Sequence, residues 1–284
     1  MPIKLYDKVM GQKSFKEFKA LIEKWTALSE NLQKSIFNAP IMLPDIFLIS
    51  DSGMGRTSLL EVLSDFLYHK ENLMDFYGDV RYFEFKLNYC KPDQPFSEIL
   101  RLMSEVRIAA GFRNEYRGIA YIEIDEWIEH CQEKHFLDFL EYLSDNSDKW
   151  LVVLSISKGK KEKMDELRGV VSAFLRTESI TINAPSADEF AQYLYDMIFA
   201  YGLEVEQEAR DILVKTVKVL GKTKYFDGYK TVKLLAQDIV YSVFSKAKNK
   251  ATVTAEDVKE FSEESEYVTR TLKNIAAAKQ RIGF

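Results

Sequence analysis

Short apolar runs alternate with longer amphipathic stretches as far as Pro185, and the alternation then stops. Residues 13–36 carry Phe15, Phe18, Leu21, Ile22, Trp25 and Leu28 near a 3.6-residue period, which predicts a helix with one apolar face. Ile46–Ile49 is continuously apolar, the pattern of a strand covered on both faces of a parallel sheet. A helix is predicted over Thr57–Tyr68. Val80–Leu87 alternates polar and apolar residues, as a strand nearer an edge does. Then come a helix at Phe96–Ile108, a strand at Ile119–Ile124 and a helix at Trp127–Leu143. The strongly apolar strand Trp150–Ser155, a helix at Met164–Leu175 and a short strand at Ser179–Ile182 complete the series. Five strands interleaved with helices call for a parallel sheet joined by crossover connections.

Beyond Pro185 the pattern is helical throughout: Asp188–Tyr201, Glu206–Val219, Lys230–Lys246 and Ala255–Lys279, with no strand expected. The change of pattern near Asn183–Ser186 divides the chain into an α/β core (residues 1–185) and a small all-helical unit with a helical tail (residues 186–284). Ser186 with Glu189, and Thr254 with Asp257, have the spacing of a capping box at a helix start.

One junction carries candidate chemistry. Directly after Ile46–Ile49 the chain reads Ser50-Asp51-Ser52-Gly53-Met54-Gly55-Arg56-Thr57, and a helix follows. This nearly matches the phosphate-cradling loop G-x-x-x-x-G-K-[ST], with Ser50 in place of the first glycine and Arg56 in place of the lysine. A bound triphosphate needs inward-pointing backbone N–H groups and a helix N-terminus behind them. Ser52, Gly53, Met54, Gly55, Arg56, Thr57 and Ser58 are therefore the candidate nucleotide-binding set. Thr57 sits where a hydroxyl would hold Mg²⁺. Arg56 keeps the positive charge, but its planar guanidinium is bulkier than an ammonium. Taken alone, the loop also reads as an ordinary strand-to-helix turn with two glycines.

A second junction strengthens the first. Ile119–Ile124 ends in Asp125-Glu126, and a parallel sheet brings the carboxyl ends of its central strands to one edge. Asp125 would hold Mg²⁺ and Glu126 would orient the attacking water; either carboxylate could equally favour the next helix's N-terminus. At the tip of Trp150–Ser155, Ser155 and Ser157 are candidates to touch a terminal phosphate, or simply to bond their own backbone.

Composition narrows this little. Of 284 residues 46% are hydrophobic and 29% charged, and the net charge of −5 does not favour a broad nucleic-acid surface. Cys90 and Cys131 have no metal spacing, and His69, His130 and His135 form no metal site. No apolar run approaches the ~20 residues of a membrane span, and a cytoplasmic location is expected.

In their order these pieces resemble an AAA+ ATPase over roughly residues 7–262. The resemblance is carried by Val9-Met10-Gly11-Gln12, loop 50–57, Asp125-Glu126, the polar-tipped strand 150–157, and Phe174-Leu175-Arg176 before the last strand. It continues in Asp227-Gly228-Tyr229-Lys230 and in Val253–Val258. It implies a five-stranded sheet ordered 5-1-4-3-2, ATP or ADP with Mg²⁺ held between core and helical lid, and assembly into a homo- or hetero-oligomeric ring or spiral acting on a partner protein complex. It further implies that Arg176, with Arg168 in reserve, reaches a neighbour's terminal phosphate, and that Lys230 stands where the lid's nucleotide-sensing arginine would. Glu126, Arg176 and Ser155 form the candidate catalytic set. The loop at residues 88–95 lacks the glycine of a peptide-threading loop, which disfavours unfoldases against clamp-loader, initiator and transposition-regulator types. Three readings stay open: an ATPase that remodels or loads a partner complex, a weakly or non-hydrolysing regulatory scaffold, and a DNA-associated regulator.

Overall fold

A computed structural model describes residues 5–35, 41–70, 73, 82–86, 118–147, 150–157, 161–223, 226–246 and 250–269. The helix expected at Phe96–Ile108, the loop at 88–95 and the tail from 270 on lie outside the described residues.

Five parallel strands form the central sheet: β1 (Asp45–Ile49), β2 (Tyr82–Lys86), β3 (Gly118–Glu123), β4 (Trp150–Ile156) and β5 (Thr177–Thr181). They pair in the order β2-β3-β4-β1-β5, which from the other edge reads 5-1-4-3-2. Because strand side chains alternate between faces, the two sides of the sheet own different residues. Ile46, Leu48, Tyr121, Leu151 and Val153 face a cluster built with α2 (Lys16–Gln33) and α3 (Arg56–Tyr68). Phe47, Ile122, Val152 and Leu154 face a second cluster built with α4 (Lys134–Asp145) and α5 (Lys161–Phe174). Each fully buried residue of Leu or Phe size contributes roughly 1.5–3 kcal/mol. A one-residue register slip would exchange the two sets, so the β1–β4 register Ile46↔Val153 is strongly specified.

The predicted first helix opens as a short 3-10 turn, Lys13–Phe15, before α2; a further helix, α1 (Leu5–Met10), precedes it. The helix expected at Trp127–Leu143 is a correction. A 3-10 turn at Asp125–Glu129 comes first, and α4 starts only at Lys134. Trp127, fully buried and stacked on Phe136 at 5.1 Å, pins that turn against the sheet.

After β5 come α6 (Ala187–Phe199), α7 (Gln207–Leu220), α8 (Gly228–Lys246) and α9 (Ala255–Val258) around a third apolar cluster. Contrary to the expectation of helices alone, β6 (Glu204–Val205) and β7 (Thr252–Val253) form a two-residue parallel pair. Two residues are too few to show a period; what holds them is burial of Val205 and Val253 in the third cluster. The Ser186–Glu189 capping box is formed, and Glu189 also accepts the Ser14 amide at 3.2 Å, so one carboxylate starts α6 and clips it to the N-terminal segment. At the second box the Thr254 amide and hydroxyl both donate to Asp257, at 2.8 and 2.7 Å.

Candidate functional site

All five strands run the same way, so the residues that follow β1, β3 and β4 meet at one edge of the sheet. A cavity of about 490 Å³ opens there, walled by the glycine loop, the ends of β3 and β4, and the first turns of α8. Its size is in the range of small-ligand sites. Ser52, Gly53, Gly55, Arg56, Thr57, Ser58, Asp125 and Lys230 all line it.

The loop is shaped by its glycines. Gly55 is the residue before α3 and adopts a left-handed φ of 94°. No side chain caps α3, so its first-turn N–H groups are left to solvent or to an anion. Gly53, with φ of 75°, lies against the lid backbone: a Cβ there would stand 2.4 Å from the Asp227 carbonyl oxygen. Gly228 meets it from the other side, and the Tyr229 amide donates to the Gly53 carbonyl at 2.9 Å. The Ser52 hydroxyl donates to Asp227 Oδ1 at 3.2 Å, and the Tyr229 hydroxyl to Gln12 Oε1 at 2.6 Å. The N-terminal segment, glycine loop and lid helix thus meet at Tyr229.

Arg56 does not extend into open space. Its Nη1 donates to Glu123 Oε1 at 3.0 Å and to the Tyr121 hydroxyl at 3.2 Å; its Nη2 donates to the Ser157 hydroxyl at 3.2 Å and to the Ser50 carbonyl. Tyr121 in turn donates to Glu123 at 3.2 Å, and burial pushes its phenol up to about 12, which keeps that proton in place. Arg56 and Glu123 are only 11% and 17% exposed, so this is a largely buried ion pair. It ties the start of α3 to the tips of β3 and β4. Ser50 is fully buried and serves the network through its carbonyl.

Asp125 lines the cavity, its Oδ1 accepting the Ser157 amide at 2.8 Å. With the Thr57 hydroxyl it offers the hard oxygen donors that Mg²⁺ prefers. Lys230 is 72% exposed and lies 3.8 Å from Asp227. Cavity size, uncapped helix amides and this oxygen pair together fit a nucleoside polyphosphate with Mg²⁺.

Five candidates stand elsewhere. Met54 turns away from the cavity and packs between the first and third clusters. Ser155, in register with Glu123, is fully buried inside β4; Ser157 shares its face but lies past the strand end, and it is Ser157 that reaches the cavity. Glu126 is exposed on the 3-10 turn, outside the cavity wall, since a 3-10 turn directs successive residues to different sides. Arg176 is exposed at the opposite end of the sheet, where its carbonyl accepts the Asp45 amide at 2.9 Å; it does not line this chain's cavity. Arg168 lies over the Phe47 ring, 5.9 Å from its centroid.

Sequence reasoning missed Glu123, Tyr121, Tyr193, Tyr229 and Lys233, all cavity-lining. A signal existed for the first two. Tyr121 and Glu123 are two apart in an otherwise apolar strand, hence on one face, the face on which α3 packs.

No family model and no curated protein matches this sequence. Among solved structures the chain is similar to a single-site mutant of Thermotoga maritima RuvB, with TM-score 0.58 and 12% identity over 95% of this chain and 78% of that one. It is also similar to T. maritima RuvB described as a Holliday junction branch migration motor, with TM-score 0.54 and 12% identity over 96% and 81%. At such identity the likeness is one of fold, and the fold is that of the AAA+ ATPases.

Proposed function

We propose that this chain binds ATP or ADP with Mg²⁺ in the cavity between glycine loop and α8, and that the bound nucleotide controls its assembly with copies of itself or with a partner complex. The observation that supports this is the convergence of loop 52–58, Asp125 and Lys230 on one cavity of nucleotide size. In this reading residues 1–185 are the nucleotide-binding core and residues 186–284 the lid. Backbone amides from Gly53 to the first turn of α3 hold the phosphates. Thr57 and Asp125 hold the Mg²⁺, which supplies charge neutralisation to the phosphates.

Turnover is slow or partner-dependent. Arg56 is engaged by Glu123, Tyr121 and Ser157 instead of standing free for transferring phosphate. Glu126 is exposed on the 3-10 turn and does not line the cavity. Both features favour the regulatory-scaffold reading over a fast ATPase. Arg176, remote from its own cavity, serves a neighbouring subunit in this reading. The description of the RuvB neighbour as a branch migration motor does not carry over: one fold hosts many activities, and a net charge of −5 does not favour DNA.

The test is a titration of the full chain with ATP and ADP, beside particle size and phosphate release. Nucleotide binding with a change in size, and little phosphate release that Glu126→Gln leaves unchanged, supports the scaffold reading. Rapid release abolished by Glu126→Gln supports the motor instead. A chain that binds neither nucleotide at millimolar concentration overturns both.

A further inference from the structure

We infer that Lys233 is a phosphate-binding residue, and that α8 has taken over from the glycine loop the task of matching polyphosphate charge. The inference rests on the nucleotide reading above and specifies which cations serve it.

Among the described residues, three cationic side chains line the cavity: Arg56, Lys230 and Lys233. Arg56 is already spent. Its two terminal nitrogens reach four acceptors on Ser50, Tyr121, Glu123 and Ser157. Turning it toward a phosphate would break its largely buried ion pair with Glu123 and its bonds to Ser50 and Ser157, which is unfavourable. Glu123 and Asp125 also make that wall of the cavity acidic. Beyond the charge of Mg²⁺, the side-chain cations left to meet a polyphosphate are therefore those of the other wall.

That wall is α8. Lys230 and Lys233 are three residues apart and so share one helix face. Lys230 is partly occupied by Asp227 at 3.8 Å, whereas Lys233 is exposed and, among the described residues, has no ion-pair partner. The helix is held at a fixed place relative to the glycine loop by the Tyr229 amide on the Gly53 carbonyl and by Ser52 on Asp227. The lysines are thus presented to the cavity by an anchored scaffold. Their helix also points its N-terminal, positive end the same way.

A consequence separates this arrangement from one in which the loop carries the charge. Affinity depends on the lid, and the contribution of Lys233 grows with the number of phosphates. The experiment is an equilibrium titration of the full chain with AMP, ADP and ATP in the presence of Mg²⁺. It compares the native chain with Lys233→Ala, Lys233→Arg and, as control, Lys215→Ala, which removes an exposed lysine outside the cavity. Lys233→Ala is expected to weaken ATP binding about tenfold or more, ADP less, and AMP hardly at all, the size typical of a lost charge-assisted hydrogen bond. Lys233→Arg restores binding, Lys215→Ala changes nothing, and thermal unfolding without nucleotide is the same for all. ATP affinity of Lys233→Ala within twofold of native, or an equal loss for all three nucleotides, overturns the assignment. If the native chain binds nucleotide and Lys233→Ala binds it equally well, only the lysine assignment falls. If the native chain binds none, the nucleotide reading falls with it.

Discussion

Arg56 occupies a position where the familiar residue is lysine, and its surroundings explain why the exchange is not neutral. A guanidinium can reach Glu123, Tyr121, Ser157 and the Ser50 carbonyl at once; an ammonium on a flexible stem cannot. Arg56→Lys is therefore expected to lower stability by roughly 1–3 kcal/mol through acceptors left unpaired, read as a drop in the denaturant midpoint. An unchanged or raised midpoint would show that the network adds nothing. Asp45, at the other end of β1, titrates unusually. Burial raises its carboxyl to about 7, against the lowering pulls of the Val152 amide and the Arg176 guanidinium. The native state then binds the proton more tightly than the unfolded chain does, whose carboxyl stays near 3.8. The linked stability is complete below the unfolded value and is lost as pH rises toward the folded one. Asp45→Asn keeps an acceptor for Val152 and removes the titration. Unfolding at acidic and at neutral pH should show native stability falling across that window and a flatter profile in the variant; parallel profiles contradict it.

At the scale of elements, the contact between loop and lid rests on two glycines. Gly228 has a φ of 52°, and a Cβ there would lie 2.2 Å from the Gly53 carbonyl oxygen. Gly202 has a φ of 80° but nothing within 4 Å of its would-be Cβ. Gly202→Ala therefore measures backbone strain alone, about 1 kcal/mol or somewhat more, while Gly228→Ala adds a backbone clash. The larger loss of thermal stability should belong to Gly228→Ala, with faster proteolysis around residues 183–186 as the lid loses its anchor. Equal losses would mean that loop and lid separate at no cost. The strands follow plainer rules. β1 and β4 are legible as apolar runs because helices cover both of their faces. The β6–β7 pair is not legible, because its two-residue strands are held by burial in the third cluster.

For the whole molecule, the cavity and Arg176 lie at opposite ends of the sheet. An arginine so placed can serve a nucleotide only on a second subunit. If the chain assembles on nucleotide as proposed, Arg176→Ala leaves nucleotide affinity of the isolated chain unchanged and reduces the ATP-dependent increase in particle size. Loss of affinity at concentrations where the chain is monomeric would place Arg176 at its own site and overturn the arrangement. Among the described residues no helix is long and apolar enough to cross a membrane.

How much was legible follows from which information is local. The order of strands and helices, the glycine loop, the acidic junction and the Ser186 cap are statements about neighbours in the chain, and periodicity and spacing carry them. The sequence could not say which side chains at the sheet edge turn inward. That Ser157 and not Ser155 reaches the cavity depends on where β4 ends, because the two share a face and only Ser157 lies past the strand, while Glu126 sits on a 3-10 turn outside the wall. The pairing of Arg56 with Glu123 joins residues 67 positions apart. The meeting of Gly53 with Gly228 joins the two halves of the chain. Contacts of that kind exist only once the sheet has assembled and the lid has docked, because both partners lie on separate elements whose approach is set by packing.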